Sequence, residues 1–201
     1  MPIASNKTVV LLDLARKGPV RARDLDEIAV PRSYLQRLCE RGLLERVDRG
    51  LYRLVDAPIT EHHSLAEVGK RVPHGVVCLL SALRFHELST ESPNAVWVMI
   101  DRRARCPRTA YPLLEVVRAS GAAREHGVWT RKIEGVSVRI TTPAKTVADC
   151  FRYRRRVGLD VAIAALRDYL RTHRGGIGAL ADAARADRVY AIMRPYLEAL
   201  A

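Results

Sequence analysis

The sequence predicts an α+β protein: an N-terminal winged helix-turn-helix followed by a mixed α/β domain with a small sheet and C-terminal helices. Three observations predict it. Residues 22–54, ARDLDEIAVPRSYLQRLCERGLLERVDRGLYRL, spell a short helix, a turn, a second helix and a basic hairpin in immediate succession. An apolar run at Ala95 to Ile100 and an alternating one at Val136 to Thr141 read as strands. The last third has helical periodicity, interrupted at Gly175-Gly176. A chain of 201 residues with 48% hydrophobic content can bury a substantial core, and it divides into expected domains at 1–56 and 57–201.

Along the first domain, Ser5 or Asn6 can cap a helix running to about Lys17, with Val9, Leu12, Ala15 and Arg16 giving an apolar face and a charged flank. Gly18-Pro19 ends it, and Val20-Arg21 is short enough for the small strand that pairs with a wing. Leu25 and Ile28 make one apolar face over Arg23 to Ile28. Ala29-Val30 then breaks the pattern, and Pro31 suits the first turn of a new helix. In that helix Leu35, Leu38 and Cys39 define the inward stripe, leaving Ser33, Gln36, Arg37 and Glu40 outward. Arginine and glutamine make bidentate contacts to guanine and adenine, and serine bonds several acceptors, so Ser33, Gln36 and Arg37 are the expected base-reading residues. Glu40 opposes phosphate. Gly42 closes the helix.

Leu44 and Val47 lead into the turn Asp48-Arg49-Gly50, and Leu51 to Leu54 returns as a second strand. Arg46, Arg49 and Arg53 decorate this wing; with Arg32 they are the expected phosphate contacts, which set affinity and register rather than sequence preference. A solvated turn with incidental charge is the plainer alternative for the hairpin taken alone. Asp56-Ala57-Pro58 reads as a linker.

In the second domain Thr60 can cap a helix through about Arg71, ended by Val72-Pro73, and a further helix spans about Cys78 to His86. The strand candidates are Ala95 to Ile100, the weaker Leu113 to Val117, and a hairpin of Val128 to Ile133 and Val136 to Thr141 around Glu134-Gly135. Thr142-Pro143 supplies a cap and an N1 proline to a helix continuing as AKTVADCFRYRRR. Leu159, Ala162, Ile163, Leu166 and Leu170 form the stripe of the next helix, and two shorter helices follow the glycine pair.

The net charge of +12 and pI near 10.1 favour a polyanionic partner. Residues 1–56 hold 11 Lys/Arg against 8 Asp/Glu, residues 57–120 hold 8 against 6, and residues 121–201 hold 15 against 8, so the reading module is not the most basic part. Arg152, Arg154, Arg155 and Arg156 form the sharpest cluster, suited either to an anionic partner or to the C-terminal dipole of a solvated helix end. The four cysteines show no C-x-x-C pair and read as reduced thiols of a cytoplasmic protein. No signal-peptide pattern or long apolar run is present, so no membrane association is expected.

The order PRSYLQRLCERGLLERVDRGLYRL (Pro31 to Leu54), LLSALRFHELS (Leu79 to Ser89), AVWVMIDRRAR (Ala95 to Arg105) and VSVRITTPAKTVADCFRYRRRVGLDVAIAALRDYL (Val136 to Leu170) resembles the AbiEi family of bacterial antitoxins. The resemblance implies a winged helix that binds double-stranded operator DNA and represses its own operon, in toxin–antitoxin and phage-defence systems. It also implies a C-terminal domain that antagonises a nucleotidyltransferase-like toxin.

Other chemistry is less well supported by the residues. His63 and Glu67 stand one turn apart without a third ligand at a recognised spacing, so a surface helix is the simpler reading. His86-Glu87 begins like the metalloprotease motif, but Thr90 stands where its second histidine is required. Asp101 and Glu115 could hold Mg²⁺ in a small nuclease, yet Val117 occupies the place where such nucleases carry lysine. No metal, cofactor or enzymatic activity is expected. An orphan winged-helix regulator and a protein-interaction module remain the other readings.

Overall fold

The computed structural model describes residues 6–56, 60–89, 91–109 and 111–200; Ser5, the Ala57-Pro58 linker and Thr90 lie outside the described residues. The fold is mixed α and β with two sheets. Two compact units make it up, Met1–Pro73 with Thr109–Tyr111 and Arg131–Val138 in the first, and the remainder in the second. The first unit is therefore larger than the expected 1–56.

Its elements are α1 (Asn6–Arg16), β1 (Val20–Arg21), α2 (Asp24–Glu27), α3 (Ser33–Glu40), β2 (Leu44–Asp48), β3 (Leu51–Leu54) and α4 (His63–Arg71). The three strands form one antiparallel sheet in the order β1-β3-β2, with Val20 opposite Tyr52 and Leu44 opposite Leu54. Leu11, Ala15, Val20, Leu25, Leu35, Leu38 and Leu44 make the core beneath it. On α1 the buried face is Thr8, Leu11 and Ala15, at i, i+3 and i+7, and Val9 is 45% exposed. Of the expected face Ala15 is buried and Leu12 packs partly against the core, while Val9 is turned out and Leu11 lies inward in its place.

The second unit carries β4 (Val76–Val77), α5 (Leu79–Phe85), β5 (Val96–Asp101), β6 (Leu114–Ala119), α6 (Ala122–Glu125), α7 (Pro143–Arg152), α8 (Arg154–Val157), α9 (Leu159–Thr172), α10 (Ile177–Ala186) and α11 (Tyr190–Leu200). The hairpin strands β7 (Val128–Ile133) and β8 (Val136–Thr141) begin and end in this unit, and their connecting end, Arg131–Val138, belongs to the first. Sheet order is β6-β5-β4-β8-β7. The two-residue β4 sits centrally, antiparallel to β5 and parallel to β8, where Val77 faces Ile140. Two valines carry no periodicity, which is why the sequence does not announce this strand. The hairpin itself is as expected: Glu134 and Gly135 take φ 47° and 74°, the pair of positive angles that a tight two-residue turn needs. Val136, Val138 and Ile140 point inward, at 7%, 1% and 0% exposure.

Thr142 caps α7, its hydroxyl accepting from the Lys145 N–H at 3.3 Å, and Pro143 occupies the first turn. The long helix expected to continue through Arg156 instead breaks at Tyr153 (φ −101°, ψ 22°) before the short α8. On α9, Ala162 and Leu166 are buried as expected; Leu159 is exposed, and Ala165 and Tyr169 complete the inward face.

The most costly feature of the second unit lies inside α7. Lys145 is fully buried, and its ammonium donates to Asp149 Oδ1 at 2.5 Å and to both Asp187 oxygens at 2.8 and 2.9 Å. Burial alone would lower the lysine, but the two carboxylates outweigh it and raise Lys145 above its ordinary value. Asp149 is pushed well above the usual carboxylate range, first by desolvation and then by Asp187, against the pull of Lys145. Asp149 Oδ2 has no hydrogen-bond partner.

Replacing Lys145 with Met should therefore cost about 3–5 kcal/mol in urea unfolding at pH 7, because two buried carboxylates lose their counter-charge. A carboxyl whose folded pKa is raised contributes stability that is present at low pH and lost as pH rises through that pKa. The deficit of the variant relative to wild type should accordingly widen between pH 4 and pH 8, and a pH-independent deficit would contradict the assignment.

Candidate nucleic-acid interface

The site is built on the turn between α2 and α3. Leu25 is fully buried, and its carbonyl accepts from the N–H groups of Ile28 and Val30 at 3.3 and 3.1 Å. Ala29 takes φ 51° there, a left-handed angle that reverses the chain within two residues. Asp24 ties the start of α2 to its surroundings: its Oδ2 accepts from the Arg21 N–H at 2.8 Å and pairs with Lys70 at 2.5 Å.

Leu35 and Leu38 fix the rotation of α3, at 2% and 1% exposure. That rotation leaves Ser33, Gln36, Arg37 and Glu40 exposed together on the far side. The Gln36 amide nitrogen donates to Glu40 Oε1 at 3.1 Å, so Glu40 orients the amide whose carbonyl oxygen remains outward. Arg37 lies with its guanidinium 5.0 Å from the Tyr34 ring centroid, which restricts its rotamers on the same face. Arg32, just before the helix, is exposed and paired with Asp26 at 3.1 Å. At the far end Gly42 takes φ 68° and the Leu43 N–H reaches the Leu38 carbonyl at 3.0 Å, closing the helix as expected.

The β2–β3 hairpin follows directly. Its register slips between Arg46 and Asp48, a bulge at Val47 that sharpens the local twist, and Gly50 takes φ 72° at the tip. Arg46 and Arg49 are exposed. Arg53 is not placed like them. Its side chain is 19% exposed, pairs with Glu45 across the hairpin, and sends Nη1 to His63 Nε2 at 2.8 Å. His63 Nδ1 meets Glu134 Oε2 at 2.7 Å, and Glu134 Oε1 accepts from the N–H and hydroxyl of Thr60 at 3.0 and 2.8 Å. Arg53 is therefore a strut of the hairpin. An arginine in a strand beside two other hairpin arginines gives no sign of this, because its partners are eight and ten residues away.

The same network corrects the reading of α4. His63 and Glu67 do stand one turn apart, 3.5 Å between Nε2 and Oε1, but on a buried face: Glu67 is 1% exposed. Thr60 does not cap α4; His62 holds that position, and the Thr60 hydroxyl accepts from its N–H at 3.2 Å.

These elements bring the expected contact residues to one segment of chain. Residues 9–55 match the family model of the AbiEi antitoxin transcriptional regulators. The AbiEi match runs from the second turn of α1 to the residue after β3, and all seven residues expected at bases or phosphates lie inside it. The fold is similar to the crystal structure of the RV2827C protein from Mycobacterium tuberculosis, with a TM-score of 0.57 at 15% identity, covering 98% of this chain and 82% of that one. No curated protein matches the chain.

Outside the AbiEi match, the C-terminal arginines are largely turned to structural use. Arg152 donates to the Asp187 carbonyl at 2.9 Å and Arg154 to the Phe151 carbonyl at 3.0 Å. Arg156 holds the Val116 carbonyl and Glu115 at 3.0 and 2.7 Å and covers the Trp97 ring at 5.0 Å. Arg155 alone of the four points outward with no such contact. The second unit shows its exposed charge elsewhere, at Arg102, Arg103, Arg105 and Arg108, on a loop whose carbonyls at Asp101, Arg102 and Ala104 are gathered by Arg118 Nη1.

The nuclease pairing does not assemble. Glu115 sits opposite Trp97 and Asp101 opposite Ala119, so the two carboxylates are four positions apart along neighbouring strands, roughly 13 Å. Glu115 is paired with Arg156, and Asp101 accepts from the Arg103 N–H at 2.8 Å. His86 bonds the Thr141 carbonyl at 2.7 Å. Among the described residues no cluster of three metal-ligating side chains occurs, and no helix is long and apolar enough to cross a membrane. All four cysteines are free, with Cys78 and Cys150 fully buried.

Burial works to raise the Glu134 carboxyl, but hydrogen bonds from Thr60 and His63 outweigh it and hold its pKa below the ordinary value. A lowered carboxyl contributes stability above its unfolded pKa that is lost as pH falls through the folded one. Glu134→Gln should destabilise the chain by about 2 kcal/mol at pH 7 in denaturant unfolding, and the gap to wild type should close below the carboxylate range, near pH 3. A gap that is the same at both pH values would remove the charge from this account.

Proposed function

We propose that the chain is a DNA-binding transcriptional regulator and antitoxin that represses its own operon, reading double-stranded operator DNA through an N-terminal winged helix-turn-helix. The observation that carries this reading is the outward face of α3, Ser33, Gln36 and Arg37, presented beside an arginine-bearing hairpin within the segment that matches the AbiEi model. In this reading α3 is the recognition helix and β2–β3 the wing. Arg32, Arg46 and Arg49 meet phosphates, and Arg53 sets the wing against α4 through His63. Antagonism of a nucleotidyltransferase-like toxin rests on the family likeness, and the second unit is the part left to perform it.

An electrophoretic mobility shift with the upstream DNA of its own operon, beside a scrambled duplex of equal length and at two salt concentrations, tests the reading. Specific retention that survives the higher salt supports it. Equal retention on both duplexes that vanishes with salt reduces it to nonspecific charge, and no retention at all points to a protein-interaction module. Arg37→Ala should weaken operator binding by about 1–3 kcal/mol and relax preference at one base pair. Arg49→Ala should instead weaken all duplexes alike and lower the salt slope by about one. Unchanged affinity and base preference in the Arg37 variant would exclude that residue from base reading.

A further inference from the structure

The helical end of the second unit holds a cleft that the regulatory reading does not use. It has a volume of about 350 Å³ and is lined by Ser120, Gly121, Ala122, Ala123, Arg152, Ala186 and Arg188. That is the lower range for a small-molecule site. Two guanidinium groups and a hydroxyl supply the polar lining, and no carboxylate is among the lining residues. The alanines and glycine leave room beside the charged wall for an uncharged part of a ligand.

Each arginine is set there by the buried charge group. Asp187 turns its carboxylate inward to Lys145 at 2.8 Å, while its carbonyl is held by Arg152 Nη1 at 2.9 Å. The next residue, Arg188, is thereby directed to the cleft. Arg188 takes φ 59°, the left-handed position just past α10 where glycine or asparagine is the usual occupant. The helix end is otherwise well formed: the Val189 N–H reaches the Ala184 carbonyl at 2.8 Å and the Arg188 N–H reaches Arg185 at 3.0 Å. These bonds and Arg152 occupy the carbonyls of Ala184, Arg185 and Asp187 at the end of α10. The Arg188 side chain is exposed and makes no ion pair or hydrogen bond. An arginine at a position that disfavours it, with nothing to hold in the protein, has its use outside the chain.

We infer that this cleft binds a phosphomonoester, a small molecule of about the size of a nucleoside monophosphate, with Arg152 and Arg188 on the phosphate and Ser120 donating a hydrogen bond to it. The site is lined by residues of the second unit alone and does not depend on the DNA reading.

The test is thermal unfolding of the full chain with AMP, inorganic phosphate or adenosine at matched ionic strength, for wild type, Arg188→Gly and Arg155→Ala. AMP at about ten times its dissociation constant should raise the wild-type midpoint by roughly 3–5 °C, inorganic phosphate less, and adenosine not at all. Arg188→Gly relieves the left-handed strain, so its basal midpoint should rise by roughly 2–4 °C while the AMP response disappears. A gain in basal stability shows that the variant folds, which isolates the lost response as a binding effect. Arg155→Ala, lacking an exposed arginine outside the cleft, should keep the full response. The inference is overturned if wild type does not respond to AMP or phosphate, or if the response persists in Arg188→Gly. It is equally overturned if Arg188→Gly loses retention of operator DNA in the mobility shift while AMP has no effect on wild type, which would make the cleft a contact for the DNA backbone.

Discussion

Three buried charges in the second unit constrain everything packed around them. Taking Lys145, Asp149 and Asp187 out of water costs several kcal/mol per ion, and their mutual attraction offsets that cost only in good geometry. The ammonium sits between carboxylates from its own helix and from the end of α10. Moving α10 by one turn, about 5.4 Å, would leave a charge buried without a partner. The apolar contacts of Phe151, Ala162, Leu166 and Leu180 favour burial in any of several registers; the ionic group selects one. It also determines which way residues 187 and 188 face, and so sets the wall of the neighbouring cleft.

In the first unit the comparable constraint is a chain of polar contacts, Glu45–Arg53–His63–Glu134–Thr60. It joins the two strands of the β2–β3 hairpin, the start of α4 and the turn of the β7–β8 hairpin. The contacts from Glu45 to Glu134 are partly buried and charge-assisted, a setting in which hydrogen bonds are stronger than in water. The hairpin rests on the core through Leu44, Tyr52 and Leu54, and this network gives one of its strands a fixed polar backing. The outward Arg46 and Arg49 then sit on a strand pair whose other arginine is immobilised.

Much of this was legible in the sequence where the signal was local. The α2–α3–hairpin order, the outward face of α3, the turn at Glu134-Gly135 and the Thr142-Pro143 cap all follow from periodicity and from residues with special backbone geometry, and each was found in place. What escaped depends on partners distant in sequence. Lys145 and Asp149 stand one turn apart in an otherwise apolar stretch, which is a hint of a buried pair, but Asp187 lies 42 positions from Lys145 and nothing local points to it. Four arginines near residue 154 read as a patch, yet Arg152 and Arg156 reach carbonyls and a carboxylate that only the fold brings near, and Arg154 bonds a carbonyl three residues back. The two-residue β4 is central because of its neighbours, and its own residues carry no record of that.

The turn of the β7–β8 hairpin has a bearing on how such a protein can be taken apart. Gly135 lies so near Lys17 that a Cβ there would come within 1.3 Å of the Lys17 carbonyl oxygen, and the neighbouring Glu134 is bonded to Thr60 and His63. A piece of chain that contributes to the first unit is thus encoded some 60 residues after the main part of that unit ends at Pro73. A gene fragment carrying only the first 73 codons would leave Arg53 and His63 without the carboxylate that completes their network, and one of 56 codons would lack His63 as well. Exchange of the first unit between proteins by a single cut after residue 56 or 73 would be penalised, and the two parts of the chain are bound to be inherited, and to vary, together.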